Sequence, residues 1–262
     1  MGFDYGLSYA ARLTRAVSSV VEQEAFNLLV EGSNPSRPTI PCRPMVSSSV
    51  PVSSQAGLHP RLDAVVRRHL SKPWRQPIRA HSQKGFDDLR ETIEAADKLI
   101  LDSGCGTGVS TAQLARRHPE ALVLGIDKSS ARLARAPALP PNACLVRAEL
   151  ADFWRLLADA GLRPTHHYLI HPNPWPKPGH LKRRWHGHPV FPALLALGGQ
   201  LELRSNFGLY VLEFKRALEL AGRPDAKVVS FRGESEAISP FEAKYLASGH
   251  TLERLTVNLE NS

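Results

Sequence analysis

Short apolar runs recur along the chain from residue 99 onward, and segments with apolar positions at helical spacing separate them. Where such a run has no polar alternation, as at 99–101 and 122–126, it is typical of a strand that is buried on both faces. The short runs predict strands at 99–102, 122–127, 144–147, 167–170, 199–204, 227–230 and 252–259. The remaining segments predict helices at 86–96, 111–117, 130–136, 153–160 and 207–221. Strands that alternate with helices indicate an α/β fold with a doubly wound, mostly parallel seven-stranded sheet, whose ligands lie at the carboxyl ends of the strands.

A glycine-rich loop follows the first predicted strand. Asp102 is followed by Gly104, Gly106 and Gly108 at alternate positions, and glycine lets a backbone turn sharply and approach a ligand closely. The second strand ends at Asp127, where a carboxylate can accept hydrogen bonds from both ribose hydroxyls of an adenosine. We expect Asp127 to have no partner other than such a ligand. The alternatives are a dinucleotide site, which has G-x-G-x-x-G spacing instead, and a strand-turn-helix with incidental glycines.

The G-x-G-x-G spacing, with an acidic residue two positions ahead of it, resembles the first motif of the S-adenosylmethionine-dependent methyltransferases. This resemblance implies a Rossmann-like methyltransferase fold with S-adenosylmethionine as cofactor. The implied cofactor-binding residues are Asp102, Gly104, Gly106 and Asp127. Glu149, which follows the third strand, is a candidate for the adenine side of the cofactor or else a surface carboxylate.

A second motif follows the fourth predicted strand, where a proline-rich loop runs into a cationic segment. Prolines stiffen a loop and can hold side chains ready beside a ligand. The segment closely resembles the P-D-P-W-x-K-x-x-H-x-K-R-R signature of the tRNA (guanine-N7-)-methyltransferases. The matching residues are Pro172, Pro174, Trp175, Lys177, His180, Lys182, Arg183 and Arg184. Residues 239–244 resemble a later T-x-F-E-x-[RK] block of the same family, and the resemblance spans roughly residue 86 to the C terminus.

The resemblance implies that the chain transfers a methyl group from S-adenosylmethionine to N7 of a guanine in tRNA. The residues that would frame the base are Asn173, Asn206, Ser239 and Glu242. The residues that would neutralise phosphates are Lys177, His180, Lys182, Arg183 and Arg184. A metal site built from the three histidines of the loop is the competing interpretation, but no acidic residue or cysteine lies nearby in the sequence, so we expect no metal. These histidines are His180, His186 and His188.

The chain departs from the family at two positions. Asn173 stands where the signature has aspartate, and Ser205-Asn206 stands where the family has a T-D segment. A carboxylate can accept hydrogen bonds from both N1–H and N2–H₂ of guanine, whereas an amide accepts only through its oxygen. Guanine N7 already carries a free lone pair, so alignment with the methyl group could suffice for transfer. Two alternatives stay open: a non-catalytic RNA-binding relative, and a methyltransferase with another acceptor, since Asn-Pro-aromatic loops orient exocyclic amines.

The composition limits the partners and the location. The 262 residues carry a formal net charge of +8, which permits nucleic acid as a partner. Three cysteines form neither a disulfide framework nor a C-x-x-C pair, which predicts a reducing, cytoplasmic location. No apolar run is long enough to span a membrane. We expect tRNA as partner, no membrane association, and a monomer or homodimer. A basic stretch around Trp74, residues 59–81, either contacts RNA or forms a solvated surface.

The beginning of the chain differs in composition from the rest. We expect residues 1–57 to form a disordered or spurious extension and linker, and residues 58–262 to form the methyltransferase domain. Residues 1 to about 55 are expected to pack against nothing. Residues 32–35, Gly-Ser-Asn-Pro, can be encoded by GGT-TCG-AAT-CCC, the sequence of a bacterial tRNA T-arm. This coincidence suggests that a tRNA gene has been translated in frame and that Met45 is the true start. The alternative is a genuine basic extension or a targeting peptide.

Overall fold

The computed structural model describes residues 48–232 and 237–260. Those from Val50 onward belong to the compact unit Val50–Ser262. The proposed tRNA-gene origin of residues 1–44 lies outside the described residues. None of the helices in this described part is long and apolar enough to cross a membrane.

The sheet has the predicted seven strands. They are β1 (Leu99–Ser103), β2 (Leu122–Asp127), β3 (Ala143–Arg147), β4 (His166–Ile170), β5 (Gln200–Ser205), β6 (Lys227–Phe231) and β7 (Leu252–Asn258). Their order is β3-β2-β1-β4-β5-β7-β6, and only β7 runs antiparallel to its neighbours β5 and β6. Every residue of β1 and β2 is buried, which explains why these strands are continuous apolar runs in the sequence.

Eight α-helices lie in the described ranges. They are α1 (Leu62–Ser71), α2 (Ala80–Glu94), α3 (Val109–Arg117), α4 (Ser130–Leu133), α5 (Leu150–Asp159), α6 (Phe191–Ala196), α7 (Gly208–Leu220) and α8 (Pro240–Ala247). Two 3₁₀ helices, Pro178–Arg183 and Trp185–Gly187, form most of the cationic segment. Helix α2 begins six residues before the predicted start because tertiary contacts hold its polar first turns, among them the hydrogen bond from Glu149 N to Ser82 Oγ.

Helices cover both faces of the sheet. Asp102 of β1 accepts hydrogen bonds from Ser110 and Thr111 of α3, whereas the neighbouring Ser103 accepts one from Trp154 of α5. Because successive side chains of a strand point to opposite faces, α3 and α5 lie on opposite faces of the sheet. The predicted doubly wound, mostly parallel α/β fold is therefore confirmed.

The predicted linker is partly integrated into the unit. Ser53 Oγ donates a hydrogen bond to the carbonyl oxygen of Pro176 at 2.6 Å, and Gln55 Nε2 donates one to Glu213 Oε1 at 3.0 Å. The expectation that residues up to about 55 pack against nothing is wrong for Ser53 and Gln55, because the Gln55 amide meets buried charged groups that need hydrogen-bond partners.

Candidate functional site

The glycine-rich loop joins β1 to α3 at the carboxyl edge of the sheet. Gly104, Gly106 and Gly108 have φ angles of 85°, 61° and 74°, a region that favours glycine. The loop is tied to β2 because the amides of Gly104 and Cys105 both donate to the carbonyl oxygen of Ile126, at 2.8 and 3.1 Å. A Cβ added at Gly106 would meet none of the described heavy atoms within 4 Å. The backbone at Gly106 is therefore open to a ligand.

Asp102 lies beneath this loop and is 1% exposed. Its Oδ2 accepts hydrogen bonds from Ser110 Oγ at 2.6 Å and from Thr111 Oγ1 at 2.7 Å. Burial raises the pKa of Asp102 to about 6, and the two hydroxyl groups offset this only in part. The carboxylate holds the start of α3 against the end of β1; a direct contact with the cofactor stays a prediction.

Asp127 ends β2 and is also buried. Its Oδ2 accepts from the amide of Gly106 at 3.0 Å, while Oδ1 accepts from the amide of Ser129 at 2.8 Å and pairs with Arg132 Nη2 at 3.0 Å. The expectation that Asp127 has no partner besides a ligand is therefore wrong. A carboxylate offers about four acceptor positions, so a ribose diol that uses two of them must displace one of these three donors.

Glu149 extends the acidic row to a third strand. It lies two residues after the end of β3, and the preceding residue, Ala148, donates its amide to the carbonyl oxygen of Asp127 at 3.1 Å. The Glu149 side chain is half-buried, and its carboxylate makes no hydrogen bond or ion pair with the part of the chain that is described. Open backbone at Gly106 and acceptors on neighbouring strands fit S-adenosylmethionine, whose adenosine supplies hydroxyl donors.

The two asparagines lie at the same edge of the sheet, after the adjacent strands β4 and β5. Asn206 is buried, and its Nδ2 lies 3.4 Å from Nδ1 of His250. Asn173 is exposed, and its side chain has no hydrogen bond to any residue in the described ranges. The Asn173 side chain is therefore accessible, whereas Asn206 contacts the segment before β7. A contact of either asparagine with the base stays a prediction.

Ser239 and Glu242 have structural roles at the start of α8. Ser239 Oγ caps the helix by accepting from the amide of Glu242 at 3.2 Å. The buried Glu242 carboxylate accepts from the amide of Ile238 at 2.7 Å and from Arg204 Nη1 at 3.3 Å. Burial would raise the pKa of Glu242, but the His171 ring, whose Nε2 lies 3.5 Å from Oε1, and the charge of Arg204 hold it below its ordinary value. A contact of Ser239 or Glu242 with the base stays a prediction.

Arg184 is the clearest correction among the predicted phosphate contacts. It is fully buried, and its Nη1 forms an ion pair with Glu213 Oε2. Nη2 donates to Gln55 Oε1 at 2.8 Å, and Nε donates to the carbonyl oxygen of Trp175 at 3.2 Å. A phosphate contact is wrong for Arg184, because a guanidinium enclosed by these partners does not reach the surface. It instead connects the signature loop to α7.

Glu213, the partner of Arg184, was not predicted from the sequence. It also lies 3.0 Å from His186 Nε2 and accepts from the amide of His59 at 2.9 Å. Burial would raise its pKa, but hydrogen bonds from His186, Arg184 and Gln55 outweigh burial and lower the pKa to about 2. A sequence signal existed: Glu213 stands on the apolar face of the predicted helix 207–221, where an unpaired acid would be costly.

The other predicted phosphate contacts lie at the surface, apart from His180, which is half-buried. Lys177, Lys182 and Arg183 are exposed. The Arg183 guanidinium lies 4.8 Å from the centre of the Trp175 ring, a cation–π distance, and the His180 ring meets the same indole edge-on at 5.4 Å. Lys177, His180, Lys182 and Arg183 thus all follow the exposed Asn173 in the chain.

The histidines of the loop do not form a metal site. His186 uses Nε2 to contact Glu213, and burial lowers its pKa. In residues 48–232 and 237–260, no group of three or more histidine, cysteine, aspartate or glutamate side chains is placed to hold a metal ion.

Comparisons with known proteins agree with this geometry. A family model described as "Putative methyltransferase" matches residues 96–223, which include the glycine-rich loop and the cationic loop. A tRNA (guanine-N(7)-)-methyltransferase of Thermus thermophilus is 34% identical over 186 residues, which cover 67% of this chain and 58% of that protein. A trans-aconitate 2-methyltransferase of Deinococcus radiodurans is 62% identical over 91 residues, 32% of this chain and 35% of that protein. A trans-aconitate 2-methyltransferase of Methylobacterium nodulans is 34% identical over 181 residues, 64% of this chain and 63% of that protein. The chain thus spans between 35% and 63% of the length of these relatives.

Proposed function

Because the chain belongs to the tRNA (guanine-N7-)-methyltransferase family, we propose that it transfers a methyl group from S-adenosylmethionine to N7 of a guanine in tRNA. The observation that carries this proposal is the position of the signature loop. Exposed Asn173 and the cations after it follow β4, which is hydrogen-bonded to β1, the strand that leads into the glycine-rich loop. The predicted acceptor-binding residues of this loop and the predicted cofactor-binding residues therefore lie at one edge of the sheet.

The chemistry asks little of the side chains beyond alignment. Bound S-adenosylmethionine supplies an electrophilic methyl group, and guanine N7 already has the lone pair that attacks it. No residue has to remove a proton from N7, so a general base is not required. The Asn173 amide oxygen accepts one hydrogen bond from the N1–H or N2–H₂ edge of guanine and thereby orients the base. Asn206 keeps the neighbouring His250 segment in place.

The exposed cations would supply affinity for RNA without choosing the base. Lys177, Lys182 and Arg183 lie on one stretch of surface next to the Asn173 loop. Contacts between such side chains and phosphates release counterions and carry no sequence information. The choice of guanine therefore rests on Asn173 and its surroundings.

Nucleoside mass spectrometry tests the proposal directly. Unmodified tRNA is incubated with the protein and S-adenosylmethionine, digested and analysed, and 7-methylguanosine is the expected product. A methylated exocyclic amine would identify an enzyme with a different acceptor. Intact tRNA binding without any methylated nucleoside would favour the non-catalytic RNA-binding relative. Several relatives are named trans-aconitate 2-methyltransferases, so a parallel reaction contains trans-aconitate in place of tRNA. Methylation of trans-aconitate but not of tRNA would contradict the proposal.

A further inference from the structure

A basic cavity lies between α1 and the 3₁₀ helix Pro178–Arg183. Its volume is about 390 Å³, and its charged lining residues are Arg61, Arg68 and Lys182, with His69 beside them. The other lining residues are apolar or glycine, and none of those described is acidic. The cavity has no lining residue from the glycine-rich loop, so it is separate from the cofactor site. Three cations with no acid among the lining residues favour an anionic ligand.

His69 adds a hydrogen-bonding group to this cationic wall. The ring is half-buried, and its Nδ1 is buried without a hydrogen-bond partner among the described residues. Burial lowers the pKa of His69, and the nearby positive charges of Lys182 and Arg68 lower it further. A backbone hydrogen bond with Gly187 offsets part of this shift, so the ring stays mostly neutral at pH 7. Nδ1 is then the nitrogen left for a ligand, and it accepts or donates a hydrogen bond according to the tautomer.

We infer that this cavity binds the ribose-phosphate backbone of the RNA substrate, with the cations on a phosphate and His69 on a ribose 2′-hydroxyl. The inference rests on the proposed function and extends it to α1. A 2′-hydroxyl is both donor and acceptor, so either tautomer of His69 can bind it. The volume lies within the range of about 300–1,000 Å³ of ligand pockets, which leaves room for a sugar as well as a phosphate.

Continuity with the signature loop favours RNA over a free anion. Lys182 belongs both to the cavity and to the exposed cations that follow Asn173. A strand of RNA whose base reaches the cofactor edge can therefore place a neighbouring backbone unit in the cavity. The basic stretch 59–81 then divides into two parts: Arg61 and Arg68 face the cavity, whereas Arg67 does not line it.

Two neighbouring arginines of α1 give a matched test. Arg67 and Arg68 are both exposed and carry the same charge, and only Arg68 lines the cavity. We expect Arg68→Ala to weaken tRNA binding several-fold and to reduce the salt dependence by about one phosphate contact, and Lys182→Ala to do the same. Arg67→Ala should change both quantities much less. Equal effects of Arg67→Ala and Arg68→Ala would overturn the inference, since they would indicate a diffuse surface charge.

The role of His69 is tested with one oligonucleotide sequence made as RNA and as DNA. We expect the wild-type protein to prefer RNA and His69→Ala to reduce the RNA-to-DNA affinity ratio by about 2- to 10-fold, the value of one hydrogen bond. His69→Asn, which keeps a donor and an acceptor, should recover part of the ratio. An unchanged ratio in His69→Ala would overturn the 2′-hydroxyl contact.

Failure of this inference can be distinguished from failure of the proposed function. Calorimetry with S-adenosylmethionine should give wild-type affinity for all five variants, because none of them is in the cofactor site. If the wild-type protein methylates tRNA while Arg67→Ala and Arg68→Ala behave alike, only the cavity inference fails. If the wild-type protein neither binds nor methylates tRNA, the proposed function fails and the inference with it.

Discussion

At the residue level, Asn173 presents an amide where the resembling signature has a carboxylate, and the side chain is exposed at the mouth of the site. Asn173→Asp restores two acceptors for the N1–H and N2–H₂ donors of guanine. A bidentate base contact is worth about 1–3 kcal/mol, so we expect the rate of tRNA methylation to rise by up to about a hundred-fold.

The initial rate of 7-methylguanosine formation measures this effect, and Asn173→Ala is the control. If the alanine variant is as fast as the wild type, Asn173 does not touch the base. If wild type and Asn173→Asp are both inactive while tRNA binding is intact, the RNA-binding relative becomes the better interpretation.

Asp102 makes the stability of the protein depend on pH. Burial raises the pKa of its carboxyl to about 6 from an ordinary value of 3.8, so the folded state binds the proton more tightly than the unfolded state. Stability from this group is therefore present below about pH 4 and is lost as the pH rises to about 6. The loss is on the order of 3 kcal/mol at pH 7.

Asp102→Asn removes this loss because the amide oxygen still accepts from Ser110 and Thr111. We expect the free energy of unfolding by urea to be higher for the variant than for the wild type at pH 7–8, and the difference to disappear towards pH 4. Asp88→Asn, an exposed site paired with Lys84, is the control and should change stability by less than about 1 kcal/mol. A difference between Asp102→Asn and the wild type that does not depend on pH would contradict the assignment.

At the level of elements, the buried charges of Arg184 and Glu213 connect the signature loop to α7. Glu213→Gln leaves the Arg184 guanidinium buried without its counter-charge, which typically costs about 3–5 kcal/mol. We expect a loss of unfolding free energy of this size in urea denaturation.

Glu219→Gln on the same helix is the matched control. Glu219 forms partly exposed ion pairs with Lys215 and Arg216, and such pairs contribute less than about 1 kcal/mol. Equal costs for the two variants would show that the buried pair has no special role. Because hydrogen bonds hold the pKa of Glu213 at about 2, its contribution should persist above pH 4.5 and be lost as the pH falls towards 2.

Strands β1 and β2 were predictable because each is an apolar run with a defined end. Which side chain of a dense cationic run is buried could not be predicted. Residues 182–184 are all cationic in the sequence, but only Arg184 is buried. The need for glycine at position 125 could not be predicted either, because nothing in the sequence distinguishes Gly125 from other residues of β2. Its Cβ would come within 2.3 Å of Thr111 Oγ1, the hydroxyl that binds Asp102. Contacts between elements decide such positions, and local sequence does not encode them.

At the level of the whole molecule, the sheet order places the predicted cofactor residues and the predicted acceptor residues side by side. The first group lies at the ends of β1, β2 and β3, and the second follows β4 and β5, apart from Ser239 and Glu242 at the start of α8. The crossing point in the strand order between β1 and β4 is where ligands bind in doubly wound sheets. The position of the site at this edge could be predicted from the strand ends in the sequence. The contacts of Gln55, which lies ahead of α1, with Arg184 and Glu213 could be seen only in the structure.

The beginning of the chain gives the last test. A truncated protein that starts at Met45 retains Ser53 and Gln55, so we expect it to match the full chain in melting temperature and in affinity for S-adenosylmethionine. A protein that starts at Leu58 loses the Gln55 amide, which bonds to both Glu213 and Arg184. Hydrogen bonds to charged groups are worth about 1.5–3 kcal/mol, which for a domain of this size lowers the melting temperature by roughly 3–12 °C. Differential scanning calorimetry of the three proteins measures the two effects separately. A large loss on removal of residues 1–44 would refute the hypothesis that Met45 is the true start, and no loss on removal of residues 1–57 would refute the role of Gln55.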